Sequence, residues 1–252
     1  MTADAESRRD PVDWSPFLER YRAGEWRAPI FHDMVASDLR RLAAEREVTL
    51  LDIGCGRGFD DEPKFQTQLA PFAKRYIGVE PDAEMAANPV ITEVHHTIYE
   101  DAPLAPGSID LAYSVMVLEH VAAPEVFWNK LHGDLSDGGV FWGFTIDARN
   151  LFAHLSMLTK TLRIKDWYLD RLHGSKGEER YENYPVHYRS NRPKEIERHA
   201  AAFRSLSLVN FHRVGQLDFY LPAPLRPIGR GIDRFIQWRK LPGSIMAIRA
   251  EK

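Results

Sequence analysis

Three glycines at alternate positions, Gly54, Gly56 and Gly58, follow an acid at Asp52 and precede another at Glu80. At the end of the apolar run Val48–Ile53, such a turn lets the backbone approach a ligand closely at the carboxyl edge of a sheet. The spacing suits two kinds of cofactor. A dinucleotide site asks for a further glycine at residue 59, which is Phe59 here, and does not require Asp52. Pyrophosphate would be repelled by Asp52 and by Asp60 and Asp61 in the following turn, whereas a sulfonium ligand carrying an amino acid would not. Two further groups are of types that move protons: His120, just past one strand at that edge, and Asp147, just past the next. The histidines form neither HxxxH nor HExxH, and His95 and His96 adjoin on a strand, pointing to opposite faces, so no metal site is expected. Neither a GxSxG elbow nor a P-loop is present. The single cysteine, Cys55, excludes an internal disulfide framework and a cysteine-built zinc site, and is expected to pack in the turn.

These groups need a scaffold, and the alternation of patterns supplies one. The 252 residues are 44% hydrophobic and 27% charged, the balance of an ordinary globular chain. No apolar run approaches the ~20 residues that cross a bilayer, and the N-terminus lacks the apolar core of a secretory signal, so a cytoplasmic location is expected. A helical pattern over Trp14–Glu47 leads into a strand at Val48–Ile53. Helix is expected over about Pro63–Phe72 and Pro124–Leu135, and strands over Arg75–Glu80, Thr92–Tyr99, Ile109–Val117 and Val140–Ile146, with Gly138-Gly139 as a break. Alternation with short connections implies parallel pairing with helices on both faces, a doubly wound α/β sheet. Strand patterns return at Leu206–Gly215, Leu217–Leu221 and Gly243–Ala250. The organisation expected is an N-terminal helical segment at 1–47 and a cofactor-binding core at 48–147. A cap follows at 148–204, then the last strands at 205–252 with an inserted segment at 222–242.

The motifs resemble those of class I S-adenosylmethionine-dependent methyltransferases. Besides the glycine turn, Asp110-Leu111-Ala112-Tyr113-Ser114 is similar to the family's fourth-strand signature. Val117-Leu118-Glu119-His120-Val121 is similar to the EHV segment of its small-molecule branch, which includes the ubiquinone-type and type 11 enzymes. Leu135–Val140 resembles the turn into strand five, with Asp137 in place of the usual proline. The resemblance covers about residues 48–146 and implies a Rossmann-like, mostly parallel sheet with an antiparallel last strand and a helical, aromatic cap inserted after strand five. It implies S-adenosylmethionine as cofactor, its methionine half cradled by Gly54, Cys55, Gly56, Arg57 and Gly58, with Asp52 orienting the amino end. Glu80 would accept from both ribose hydroxyls, beside Pro81. The family's acid–alanine pair for the adenine amino group aligns with Ile98-Tyr99, a departure, so Glu100 or Asp101 would substitute for the acid, and Tyr99 and Glu100 join the cofactor list. Ser114 and Val115 complete the cofactor list.

Substrate is expected at the cap, where Trp167, Tyr168, His173, Tyr181, Tyr184, His187, Tyr188, Arg189 and Arg192 crowd together. The substrate-binding candidates are Tyr184, His187, Tyr188, Arg189 and Arg192. The activity implied is methyl transfer to a hydroxyl or amine of a small molecule or glycan in a biosynthetic pathway. A cofactor-binding subunit without catalysis, or an RNA or protein methyltransferase, stands as the alternative. Residues 1–150 hold 26 acidic against 14 basic residues and residues 151–252 hold 10 against 19, within a net charge of −3. An acidic whole speaks against nucleic acid, while the basic half fits an anionic acceptor. In 222–242, a helix from about Pro227 sets Ile228, Ile232, Phe235 and Ile236 on one face and Arg226, Arg230 and Arg234 on another. That face either packs on the protein or meets an anionic membrane or phosphate-bearing acceptor. Homo-oligomers are compatible with all of this.

Overall fold

The structure is a computed structural model and describes residues 12–150, 184–216, 218 and 221–252, with Arg57 described in its backbone alone. Two helices precede the sheet, α1 (Ser15–Arg22) and α2 (Arg27–Ala43), where the pattern predicts one stretch; Gly24, at φ +99°, turns the chain between them. Ile30, Met34, Leu39 and Leu42 lie on the buried stripe of α2, as helical spacing requires. Asp38 on the same helix accepts from Trp142 Nε1 at 2.9 Å and from Arg249 Nε at 2.7 Å, which fixes α2 against two strands far along the chain.

The sheet is built from β1 (Thr49–Ile53), β2 (Arg75–Val79), β3 (Glu93–His95), β4 (Ile109–Val115), β5 (Leu135–Ile146), β6 (Ser205–Phe211) and β7 (Ile245–Glu251). Its order is β3-β2-β1-β4-β5-β7-β6, with β1 to β5 parallel and β7 antiparallel to both of its neighbours. Helices α1, α2 and α3 (Lys64–Leu69) cover one face; α4 (Pro124–Asp134) and α5 (Pro193–His199) cover the other. This is the expected doubly wound class. No helix among the described residues is long and apolar enough to cross a membrane.

Several boundaries differ for physical reasons. Strand β4 stops at Val115 because Met116 takes φ +56°, a conformation costly for a side-chain-bearing residue. Strand β5 starts at Leu135, and Gly138-Gly139 form an irregularity inside it, between the pairs Ile109–Leu135 and Leu111–Val140. Strand β3 is only three residues long, and Tyr99–Asp101 form a single 3-10 turn instead. Strand β6 ends at Phe211, followed by a turn over 214–216; Leu217, Phe219 and Tyr220 lie outside the described residues. The predicted helix in 222–242 is present as α6 (Arg226–Trp238). Of the cap aromatics, Trp167, Tyr168, His173 and Tyr181 lie outside the described residues.

Candidate active site

Register brings the relevant groups to one edge. Ile53 pairs with Val79 and Ser114, and Val115 with Phe144, so the chain leaves β1, β2, β4 and β5 side by side. At the β1 exit, Gly54 sits at φ +83°, and a Cβ there would lie 2.5 Å from Val117 Cγ2. Only glycine fits both the backbone sign and the space. Residues 55–57 make one 3-10 turn, and the next helix, α3, does not start until Lys64. No helix therefore starts directly from the turn, as pyrophosphate binding would use. Phe59, at the position of the missing glycine, is buried and stacks on Tyr113 with ring centroids 5.0 Å apart.

Asp52 is buried beneath the turn. Its Oδ2 accepts from Tyr113 OH at 2.6 Å and from Gln66 Nε2 at 2.7 Å, and Gln66 Nε2 also donates to the Cys55 carbonyl at 2.8 Å. Burial pushes the Asp52 carboxyl up to about 7, against those two donors, with the Glu80 charge adding to the rise. Cys55 is buried, and Gly78 leaves room for its thiol; burial pushes that thiol well above its ordinary range. Its backbone thus shapes the turn while its sulfur is packing. Glu80 is almost fully buried at the end of β2; its Oε2 accepts from the Gly56 amide and its Oε1 from the Asp82 amide, both at 3.1 Å. Two bonds leave the carboxylate, with about four acceptor sites, room for two more. The Met85 thioether lies against Gly56, and its sequence position carries no signal of this.

Not every candidate points to the edge. The Tyr99 ring is buried against Phe127 and its hydroxyl donates to Asp134 Oδ2 at 2.8 Å, so only its backbone remains near the site: a correction to the reading of its side chain as cofactor-binding. Glu100 is half-buried on the same turn, and burial raises its carboxyl. Ser114 is buried, with an Oγ that has no hydrogen-bond partner among the described residues, beside Gly143 in the register. Val115 packs partly into the core. Asp147 is fully buried and accepts four hydrogen bonds, from the Arg149 amide, Nε and Nη2 and from Asn210 Nδ2, at 2.7–3.0 Å. All four bonds are made within the protein, and they clamp the β5 exit to β6, so the side chain is engaged away from the open edge where a base would stand.

His120 is different. Its Nδ1 lies 3.2 Å from the Pro185 carbonyl, and its ring meets Tyr184 edge-on at 6.0 Å. The chain returning at 184–191 is stapled here. The Glu119 carbonyl accepts from the amides of His187 at 2.8 Å and Tyr188 at 3.2 Å, Arg189 Nη1 donates to the Ala122 carbonyl at 2.7 Å, and the Ala148 amide donates to the Asn191 carbonyl at 2.9 Å. Tyr184, His187, Tyr188 and Arg189 are thereby brought to His120. Arg192 is not; it is exposed at the start of α5, lining a surface hollow with Arg149, Lys194 and Glu195. Glu119, absent from the predicted site, is buried and accepts from Thr145 Oγ1 at 2.8 Å, which in turn accepts from Asn191 Nδ2 at 2.6 Å. Burial raises the Glu119 carboxyl. Also unforeseen, Arg27 at the start of α2 donates to both oxygens of Asp60, tying that helix to the turn. Among the described residues, no three His, Cys, Asp or Glu side chains converge as a metal site would need.

A doubly wound sheet with an antiparallel β7, a tight glycine turn from which no helix directly starts, and an acid closing β2 defines the methyltransferase class of α/β fold. Residues 19–192 match the family model described as Methyltransferase domain, more than half of the chain. The chain belongs to that family and is an S-adenosylmethionine-dependent methyltransferase. It is 34% identical over 96 residues to an uncharacterized methyltransferase from Mycobacterium sp. (strain JLS), a match spanning 36% of each chain. In fold it is similar to a SAM-dependent methyltransferase from Archaeoglobus fulgidus (15% identity, TM-score 0.51, 95% of this chain and 100% of that one). It is likewise similar to geranyl diphosphate C-methyltransferase from Streptomyces coelicolor A3(2), at 15% identity and TM-score 0.55, over 96% and 85% of the two chains. The residues present fit the cofactor: Glu80 keeps acceptor capacity for two hydroxyls beside the tight Gly54–Gly58 turn.

Proposed function

We propose that the chain transfers a methyl group to a hydroxyl or amine of a small-molecule or glycan acceptor, with His120 as the proton acceptor. The observation that carries this is the bond from His120 to the Pro185 carbonyl. A carbonyl oxygen can only accept, so Nδ1 holds a hydrogen, and in the neutral ring Nε2 then carries the lone pair that takes the proton. In this reading the backbone of Gly54–Gly58 holds the methionine half of the cofactor and Glu80 accepts from the ribose hydroxyls. Asp52 acts through Gln66, keeping the turn in shape, while Glu100, Ser114 and Val115 line the adenine end. S-adenosylmethionine supplies an already activated methyl, so what is asked of the protein is alignment and dryness. Tyr184, His187 and Tyr188 orient the acceptor and exclude water, and Glu119, through its carbonyl, fixes the segment that carries them. Arg189 donates to the Ala122 carbonyl and braces that segment from the outside.

The test is a screen of hydroxyl- and amine-bearing acceptors scored by S-adenosylhomocysteine formation, followed by a pH profile on any acceptor found. The rate should climb with pH through one ionisation, and His120→Ala should lose that limb. A limb that survives the substitution overturns the assignment of His120.

A further inference from the structure

Helix α6 joins β6 to β7, leaving the sheet at Phe211 and Ile245, which pair with each other; Ile245 also pairs with Ile146, next to Asp147. It therefore stands at the same edge as the glycine turn and His120. The helix is anchored along a narrow seam of Gly229, Asp233 and Ile236, where the buried Asp233 carboxylate accepts from the Gly215 amide at 2.7 Å. The expected apolar face does not pack on the sheet, apart from Ile236. Ile228 is 62% exposed, Phe235 54% and Trp238 73%, with Ile232 between them and Leu225 and Leu241 at the two ends. Soluble proteins seldom leave so continuous an apolar stripe uncovered.

The cations are placed to match. Arg226, Arg230 and Arg234 follow at four-residue steps on the flank across the buried seam, and Arg239 and Lys240 close the C-terminal end. Arg230 and Arg234 line a hollow of about 340 Å³ with Arg213. Arg230 pairs with Asp218 at 2.7 Å, whereas Arg234 has no ion pair among the described residues. An exposed apolar helix face with a tryptophan near its end and arginines alongside suits the boundary between acyl chains and phosphates. A second copy of the same face would set arginine against arginine.

We infer that α6 docks this protein on an anionic lipid bilayer, holding the ligand edge against the membrane surface. The reading is separable from the methyl-transfer chemistry, because cofactor binding by calorimetry reports on the glycine turn alone. The experiment is co-sedimentation of the full chain with vesicles of phosphatidylcholine alone and with phosphatidylglycerol added. Binding is expected only to the anionic vesicles and is expected to fade between about 0.1 and 1 M salt, as the screening length falls from roughly 10 to 3 Å. Ile228→Ser, Phe235→Ser and Trp238→Ser together should weaken it by at least about tenfold. Arg226→Gln and Arg234→Gln should weaken it by roughly fivefold each, the share of one basic residue at such a surface. Both sets should keep the cofactor affinity and melting temperature of the wild type. No binding to anionic vesicles at low salt overturns the proposal. So does a fall in melting temperature beyond about 4 °C in the serine variant, which would mean that the stripe is covered by protein. A wild-type dimer that the serine variant dissociates, without vesicle binding, would assign the face to a second copy instead.

Discussion

At the β1–β2 end of the ligand edge, Gln66 bonds Asp52 and Cys55, and Glu80 bonds Gly56, all across 24 residues or fewer. At the β4–β5 end, His120 reaches its partner 65 residues away at Pro185, and the Glu119 carbonyl is met by the amides of His187 and Tyr188. Most bonds of the first end join residues within 24 positions of one another, with Tyr113, 61 residues from Asp52, as the long-range brace. The second exists only once a distant segment has been laid across it. One end can thus be shaped in advance for a fixed cofactor, while the other can vary with the acceptor without disturbing the first.

The sharpest test of that division is His120→Ala. Turnover should drop roughly 10²–10⁴-fold if a general base is lost, with cofactor affinity close to wild type. Steady-state formation of S-adenosylhomocysteine, set beside calorimetry, separates the two ends. An equal loss in both measurements would mean that the ends are coupled and break the comparison.

The next largest effect concerns Asp52. Its carboxyl stands near 7 in the folded chain against about 3.9 unfolded, so the folded state binds the proton more tightly. Its contribution to stability is therefore fully present below about pH 4 and is lost as pH rises to about 7. At 1.36 kcal/mol per unit this is at most about 4 kcal/mol. Urea melts across pH should show the wild type losing stability relative to Asp52→Asn over this window. A constant difference would deny that Asp52 takes up its proton on folding.

Glu80→Ala removes the acceptor for two charge-assisted bonds and should weaken cofactor binding by roughly 2–4 kcal/mol, measured by calorimetry. Unchanged affinity would remove Glu80 from the cofactor site. Smallest is Asp147→Asn: turnover should stay within about threefold of wild type, short of the range for a lost base. The melting curve should show a loss of about 1–3 kcal/mol from the weakened clamp on Arg149 and Asn210.

At the glycine-turn end the sequence offered the glycines and the two acids, because glycine spacing and acids at strand exits are local constraints, whereas Gln66, Tyr113 and Met85 carried no such signal. It offered His120 as a candidate from the strand exit alone, and held no sign of the Pro185 carbonyl that its ring meets. Asp147 was offered on the same local ground, while Asn210, which engages its carboxylate, comes 63 residues later. Tyr99 sits in a turn where the pattern continues a strand, and that difference alone sends its hydroxyl to Asp134. The apolar face of α6 was predicted with its period intact. Periodicity specifies which residues share a face and says nothing about which way the face is turned.

Cys55 offers a clock for the glycine turn. It is the one thiol among the 252 residues, and it is sealed between the turn and Gly78. An alkylating reagent can reach that sulfur only when the turn lifts from β2, so the rate of modification of the native chain reads the opening frequency of the cofactor cradle. Each event adds one mass increment at one site. S-adenosylhomocysteine at a hundred times its dissociation constant should slow the labelling roughly a hundredfold, if opening requires release of the ligand.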